Sequence, residues 1–448
     1  MTLPAAFTLF IVSVILTLYY GLPMWLSMSA GFVLFFMAGR KSGFRVPELL
    51  GMSLAGAKSS LIVVRVLLTI GVMTGLWRSA GTFAALVALG LEAVTPSMFV
   101  LAAFVLPCVL SYALGTSFGT AGTLGVALMT IARGGGVDPI ITAGAVMSGI
   151  HFGDRGSPSS SCLHLVTALT RTEIYANVKA FMKSQLIPLI ISLVFYLILS
   201  VRNPLASFSP EMLEELPRAF SLSWVALLPA VIMLALPFFR VRIFSAFLAS
   251  ILAAFVISVR LQGYSVADAV GAAFFGLHYD GGIRSLFNGG GLASMVSMCL
   301  VLVISGTFSG IFDGTGMLGG LQGKLSAMME RFGAYPVLLV TGTLMDAVFC
   351  NQTVGVIMTA QLFRRPYSGA GITDEGFAVN LADGPVITAP IVPWCIACSV
   401  PLSMLGADLG AVGYACYLWL IPCWRLLNVW YNTRIQSGKI HEKRGRQL

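Results

Sequence analysis

Charge is scarce in this chain. Asp, Glu, Lys and Arg make up 10% of the 448 residues against 57% hydrophobic, whereas a soluble domain carries about 25% charged residues to cover its surface. That excludes a soluble globule and predicts an all-α polytopic membrane protein. A hydrocarbon core takes roughly 20 apolar residues per helix, so about ten to twelve transmembrane segments are expected, some of them broken or re-entrant. Histidine is scarcer still, at 4. No His-Glu-x-x-His pattern occurs, which removes the zinc-protease reading. The opening Met-Thr-Leu-Pro-Ala-Ala-Phe lacks a positive n-region and a small-residue cleavage site, so the first apolar segment is expected to be retained as a span. The 8 cysteines sit mostly inside apolar runs, as small helix residues and not as a disulfide framework. Cys395-x-x-Cys398 has no second Cys pair or His nearby and is a weak redox or metal signal. The net charge of +9 does not point to nucleic acid. Lys and Arg gather at Arg40–Arg45, Arg240–Arg242, Arg364–Arg365 and after Trp424, which predicts cytoplasmic loops and termini.

What the chain does have is glycine and proline, 48 and 20 of them, concentrated in two polar interruptions. His151 to Ser161 reads His-Phe-Gly-Asp-Arg-Gly-Ser-Pro-Ser-Ser-Ser, and Leu381 to Trp394 reads Leu-Ala-Asp-Gly-Pro-Val-Ile-Thr-Ala-Pro-Ile-Val-Pro-Trp. Gly153, Gly156 and Pro158 are expected to break the helix, and freed carbonyls and serine hydroxyls are tolerable only around a protein-enclosed, wet cavity. Asp154 and Asp383 are 383 − 154 = 229 positions apart. Gly81-Thr82-Phe83 recurs as Gly306-Thr307-Phe308, 306 − 81 = 225 positions on. Further interruptions occur at Gly115 to Thr120 and Asn351 to Thr353. Two weakly similar halves with broken segments at corresponding places predict a secondary transporter built from two inverted repeats, with its site at their interface.

The organisation expected along the chain is a helical hairpin and interfacial segment at 1–60, then a first repeat at 61–200 broken at 151–161. A linker with scaffold helices fills 201–290, a second repeat broken at 381–394 fills 291–424, and a basic cytoplasmic tail occupies 425–448. Leu163 to Gln185 reads as a surface helix, and Gly291 to Phe312 as a span broken at Gly306-Thr307. His278-Tyr279-Asp280 and Arg284 read as interface residues.

Intramembrane acids are functional candidates because an unpaired charge there costs several kcal/mol. Asp154, Asp346 and Asp383 qualify. A carboxylate among hydroxyls and carbonyls offers hard oxygen ligands suited to Na⁺, and one that can trade a proton for a cation is the minimal antiport device. The expected site set is Asp154, Ser157, Ser160, Ser161, Thr116, Ser117, Thr120, Asp346, Asn351, Gln352, Asp383, Thr388 and Trp394. His151, Arg155 and Arg78 are candidates for a proton relay or an anion partner. Plainer readings stand beside these. Asp154-Arg155 fits a solvated membrane edge, and Asp346 fits a structural pair with Arg78 or Arg133. His151 fits a structural hydrogen-bonder, the Thr116, Ser117 and Thr120 hydroxyls fit helix packing, and Trp394 fits an interfacial anchor.

Several motifs together resemble the NhaC family of sodium-proton antiporters. They are Gly75-Leu76-Trp77 with Ala80-Gly81-Thr82, Gly115-Thr-Ser-Phe-Gly-Thr, Ser148-Gly149 with Phe152-Gly-Asp-Arg-Gly-Ser-Pro, and Asp383 with Pro390-Ile-Val-Pro-Trp. The likeness runs from about Ile70 to Trp394. It implies inverted repeats, a bacterial inner-membrane location and H⁺/Na⁺ exchange by alternating access. No cofactor is implied beyond Na⁺ as coupling ion. The partners are lipid and the transported ion or solute, and a homodimer is left open. The chain departs from the family pattern at Ser161, where the family offers an acid, at Cys395 in place of Asn, and at Pro385-Val386 in place of Gly-Thr. Fewer charged ligands favour the alternative of an exchanger or uptake carrier for a small organic solute, an amino acid or carboxylate. An intramembrane aspartyl protease using Tyr279-Asp280 and Gly153-Asp154 fails, because His151 stands where its Gly-x-Gly-Asp pattern needs glycine and the two motifs occur in the wrong order.

Overall fold

The computed structural model describes residues 2–93, 95–158, 160–205, 217–239, 241, 243–278, 288–316 and 322–445. Tyr279, Asp280, Arg284, Arg240, Arg242 and most of the linker 201–222 lie outside the described residues. The described residues are helical apart from turns and one β-bridge between Leu277 and Gly289. The first helices are α1 (Leu3–Tyr19), α2 (Met24–Lys41), α3 (Val46–Ser79), α4 (Thr82–Ala93) and α5 (Phe99–Leu114). They are followed by α6 (117–134, with a π-helical turn at Ala121–Gly125), α7 (Pro139–Gly156), α8 (Ser161–Thr170), α9 (Ile174–Arg202) and α10 (Ile243–Arg260). After these come α11 (Val296–Thr315), α12 (Ala334–Phe349), α13 (Gln352–Gly369), α14 (Asp374–Ile391, with a break at Gly384), α15 (Ile396–Leu405) and α16 (Cys416–Gly445).

Among the described residues, three helices are long and apolar enough to cross a bilayer alone: Pro96–Leu114, Ile174–Arg202 and Leu292–Thr315. The pair Asp374–Ile391 and Ile396–Leu405, bent by 47°, adds a fourth if it forms one span. Other apolar helices have 10–17 residues, because polar or glycine junctions cut the runs short. The outer faces carry exposed Leu186, Ile190, Val194, Ile198, Leu252 and Val256, as a chain solvated by lipid requires.

Several expectations change here. The 47–60 segment and the following span form one helix, α3, whose start is closed by Glu48 accepting from the Arg45 amide at 2.8 Å. Arg65 on α3 lies over the Phe244 ring at 4.6 Å. Gly306 does not break α11. It packs against Gly56 of α3, as does Gly310, and a Cβ at any of the three would overlap the facing backbone, the small-residue contact that lets membrane helices touch. Leu163 to Gln185 is not one surface helix: it is cut at Arg171, which adopts φ 58°, into α8 and the start of the long α9.

The two halves repeat in structure at a constant displacement of 334 − 99 = 235 residues, not 225 or 229. α5 matches α12 at 16 residues each, α7 matches Asp374–Ile391 at 18, and α8 matches α15 at 10. The junctions match too. Left-handed Gly115 (φ 68°) corresponds to Cys350 (φ 54°), and Arg171 (φ 58°) to Gly406 (φ 59°). Helix-capping Thr116 corresponds to Asn351, and Asp138 to Thr373. Gly81 (φ 71°) corresponds to Gly316 (φ 59°), so the recurrence of Gly-Thr-Phe was out of register. What repeats is geometry, a left-handed residue or a capping oxygen, and different side chains satisfy it.

The halves also interlock. Cys162, Leu163 and Val166 of α8 belong to the hydrophobic core formed with Phe349, Val356 and Phe377 of α12, α13 and α14. Ile396, Val400 and Leu405 of α15 belong to the core formed with Phe104, Met129 and Val146 of α5, α6 and α7. Each broken segment therefore sends its second arm into the other half, and the two breaks share one interface.

Candidate functional site

The last turn of α7, Gly153-Asp154-Arg155-Gly156, is helical and buried, and the chain unwinds only at Ser157. Gly149 and Gly153 are packing positions, not breaks: a Cβ on either would overlap α5. The Gly153 amide donates to Ser111 Oγ at 3.0 Å, and that hydroxyl donates to the Gly149 carbonyl at 2.9 Å. Asp154, 7% exposed, thus projects from a rigid helix. The side chains of Ser117 and Gln352 are its polar neighbours. These two residues are counterparts across the 235-residue repeat, and each is the first residue of its helix, α6 or α13. Two helix N-termini, positive ends of their dipoles, converge on one acid.

The neighbouring polar residues mostly build this frame. Thr116 caps α6 by accepting from the Gly119 amide at 3.4 Å, and Thr120 Oγ1 donates to the Thr116 carbonyl at 2.8 Å. Asn351 Oδ1 caps α13, accepting from the Thr353 amide at 2.9 Å and the Val354 amide at 3.4 Å. Gln352 Nε2 donates to the Val386 carbonyl at 2.7 Å, tying α13 to α14. Ser157 Oγ donates to the Tyr112 carbonyl at 2.5 Å. Ser160 caps α8 through the Cys162 amide at 3.0 Å, and its hydroxyl donates to the Asp154 carbonyl. Ser161 is exposed and outside the cluster.

Asp383 has a charged partner in the structure. It forms a buried ion pair with Arg155, whose guanidinium also donates to Gln185 Oε1 at 2.6 Å, Ser184 Oγ at 2.7 Å, the Phe181 carbonyl at 3.2 Å and the Ala382 carbonyl at 3.3 Å. Ser184 Oγ also donates to Asp383 at 3.2 Å, and Arg425 Nε lies 3.9 Å from its other oxygen. An arginine with its donors so engaged joins α7 to α14 and α9 and leaves little to offer a substrate anion. Arg78 donates to the Thr74 carbonyl at 3.1 Å and lies over the Phe83 ring at 4.9 Å. Arg133 donates to the Leu405 and Gly406 carbonyls at 2.8 and 2.7 Å. Neither pairs with Asp346, which is fully buried and accepts from Thr388 Oγ1 at 3.3 Å.

Residues 149–424, from the end of α7 into α16, match the profile of the Na⁺/H⁺ antiporter family. The chain belongs to the Na⁺/H⁺ antiporter family. Relatives include an uncharacterized Na⁺/H⁺ antiporter of Haemophilus influenzae, 28% identical over 80% of this chain and 79% of its own length. A malate-2H⁺/Na⁺-lactate antiporter of Bacillus subtilis is 25% identical over 90% and 88%. The arginine/ornithine antiporter ArcD of Halobacterium salinarum is 25% identical over 76% and 73%. The structure of Neisseria gonorrhoeae MtrF, from a class of antimetabolite efflux pumps, aligns over 94% of both chains with 14% identity and a TM-score of 0.39. This protein is a multi-pass membrane secondary transporter of antiporter type.

In this antiporter, His151 is buried, with Nδ1 at 2.8 Å from the Met147 carbonyl one helical turn back and Nε2 without a partner. Trp394 is half-buried. Its Nε1 donates to the Ala347 carbonyl at 2.6 Å, and it lines a cavity of about 360 Å³ with Pro393, Ser399, Ser403 and Asp408. Ser111, Ser184, Gln185, Tyr335, Tyr417 and Arg425 also support the two acid clusters. Tyr335 donates to the Asp383 carbonyl at 2.9 Å, and Tyr417 to Gln185 at 2.6 Å. Each of these lies in an ordinary apolar helix, and no local pattern marks it.

Proposed function

We propose that this antiporter exchanges H⁺ or Na⁺ for a second solute across a bacterial cytoplasmic membrane, with both termini cytoplasmic and Asp154 as the coupling acid. The observation that carries the reading is the buried Asp154 carboxylate beside the side chains of Ser117 and Gln352, the first residues of α6 and α13. An ionised Asp154 draws on these two polar neighbours. A proton, or a cation taking the carboxylate and the Ser117 hydroxyl as oxygen ligands, neutralises it and weakens that attraction. Because α8 and α15 cross between the halves, a change at Asp154 is felt by both. Rocking of one half against the other then exposes the acid to the opposite side.

A second reading is supported by Asp383 and Ser161. With Asp383 paired to Arg155 and Ser161 exposed, Asp154 is left as one acid beside two helix N-termini. That balance suits a substrate carrying its own carboxylate, bound at the helix ends while the coupling ion sits on Asp154. The 360 Å³ cavity at Trp394 offers room for a small organic solute.

Reconstituted vesicles test both. Na⁺, Li⁺ or K⁺ collapsing an imposed pH gradient supports cation exchange. Collapse or counterflow only with a small amino acid or carboxylate supports the organic solute. Asp154→Asn abolishes coupled transport in either case, and a fully active Asp154→Asn protein refutes the assignment. Accessibility of a tag at either end in right-side-out and everted vesicles tests the orientation.

A further inference from the structure

The mechanism above leaves Asp346 unused, although it is the more deeply buried acid. It lies in the last turn of α12, where its carbonyl accepts from the Cys350 amide at 2.9 Å. Its side chain touches three elements. Oδ2 meets Thr388 of α14. Oδ1 has no hydrogen-bond partner and rests on the bare Cα of Gly355 in α13, where any Cβ would collide with it. The titratable groups that face it are thiols: Cys162 of α8, which also faces Asp154, and Cys395 in the turn before α15. Gly355 and Thr388, the residues packed on it from α13 and α14, do not titrate, and Arg78 and Arg133 are engaged elsewhere.

The repeat supplies a control inside the same molecule. At 235 residues earlier, Asp346, Gly355 and Thr388 become Ser111, Thr120 and Gly153. There the same junction is closed without an acid, by Ser111 accepting from the Gly153 amide and donating to Gly149. The bulk is exchanged, large for small at each of the three positions, so the contact is preserved and only the second copy contains a carboxyl. Packing at this junction needs no acid.

We propose that Asp346 is a second coupling group of the antiporter, a carboxyl that carries a proton and not Na⁺. The inference rests on the transport reading above. In the structure Thr388 Oγ1 donates to Asp346 at 3.3 Å, and Thr343 Oγ1 lies 3.1 Å from Thr388 Oγ1 and 2.8 Å from the Leu339 carbonyl. A protonated Asp346 reverses the first two bonds, donating to Thr388, which donates to Thr343 while Thr343 donates to Leu339. Among the described residues no cation pairs with Asp346, and an ionised carboxylate buried without one is unfavourable. Gly355 and Thr388 close around it too tightly for Na⁺, which needs several oxygen ligands. Movement of α14 past α12 removes Thr388, admits water and releases the proton.

Vesicles reconstituted with the wild type, Asp346→Asn and Asp154→Asn are compared by the H⁺-to-solute ratio, read from the reversal of flux against imposed pH and electrical gradients. Asp346→Asn, which keeps the bond to Thr388, is expected to exchange with one H⁺ fewer per cycle. It is also expected to lose a protonated-carboxyl band from the infrared spectrum. The triple variant Asp346→Ser, Gly355→Thr, Thr388→Gly, which installs the first-copy junction, should fold and show the same reduced ratio. An unchanged ratio and band in Asp346→Asn overturns the inference. If Asp154→Asn abolishes coupling while Asp346→Asn changes nothing, only the Asp346 assignment falls. If neither variant alters the ratio, the transport reading falls with it.

Discussion

Removing Asp383 should destabilise the antiporter more than removing Arg155, although the two form one ion pair. Both side chains are buried, at 0% and 1% exposure. Breaking a buried pair by deleting one partner costs about 3–5 kcal/mol when the remaining charge is stranded. Asp383→Asn strands Arg155. Its other partners are the neutral Gln185, Ser184 and two carbonyls, so the full cost of about 3–5 kcal/mol is expected. Arg155→Gln leaves Asp383 with Ser184 at 3.2 Å and Arg425 at 3.9 Å, a second cation 27% exposed and able to close in. The loss there should approach that of charged hydrogen bonds alone, about 1.5–3 kcal/mol. Replacing both by leucine removes the stranded charge and should cost less than Asp383→Asn. The assay is denaturant unfolding of detergent-purified protein, followed by near-ultraviolet circular dichroism across the wild type and the three variants. An Asp383→Asn protein as stable as the wild type, or an Arg155→Gln protein less stable than Asp383→Asn, would refute the reasoning.

Other outcomes follow from the same geometry. Arg155→Gln is expected to leave the half-saturating solute concentration in vesicles within about twofold, under about 0.4 kcal/mol of binding energy; a tenfold rise would make Arg155 a substrate ligand. Gly153→Ala drives a methyl into the α5 backbone at Ser111 and should cost about 1–3 kcal/mol, checked by thermal aggregation against Gly271→Ala, where a Cβ meets open space. Ser160→Ala uncaps α8 and frees the Asp154 carbonyl, for about 1 kcal/mol, measurable as faster amide exchange over the first turn of α8. Trp394→Phe loses the bond to the Ala347 carbonyl, about 1 kcal/mol, seen as a lower thermal midpoint.

Hydropathy and charge decided the solvent and hence the fold class, because a chain with so few charges cannot cover itself in water. Local chemistry also placed the interruptions at Gly115 to Thr120 and Asn351 to Thr353, where Thr116 and Asn351 cap new helices, while the break expected over His151 to Ser161 begins only at Ser157. Asp154 drew notice because an acid beside a break in apolar sequence has no cheap structural use, and the structure buries it there. Everything that depended on distance through space was not legible. Asp383 looked like the twin of Asp154 because each is followed by glycine or arginine at a break. Its partner proved to be Arg155, reached only when α7 and α14 are laid together. The register of 235 was hidden because the halves share backbone geometry and not side chains, so Ser111 stands where Asp346 does. The exchange of α8 and α15 between the cores leaves no trace in either helix alone. Which half buries an apolar arm is settled by packing against residues more than a hundred positions away, and no local pattern encodes that choice.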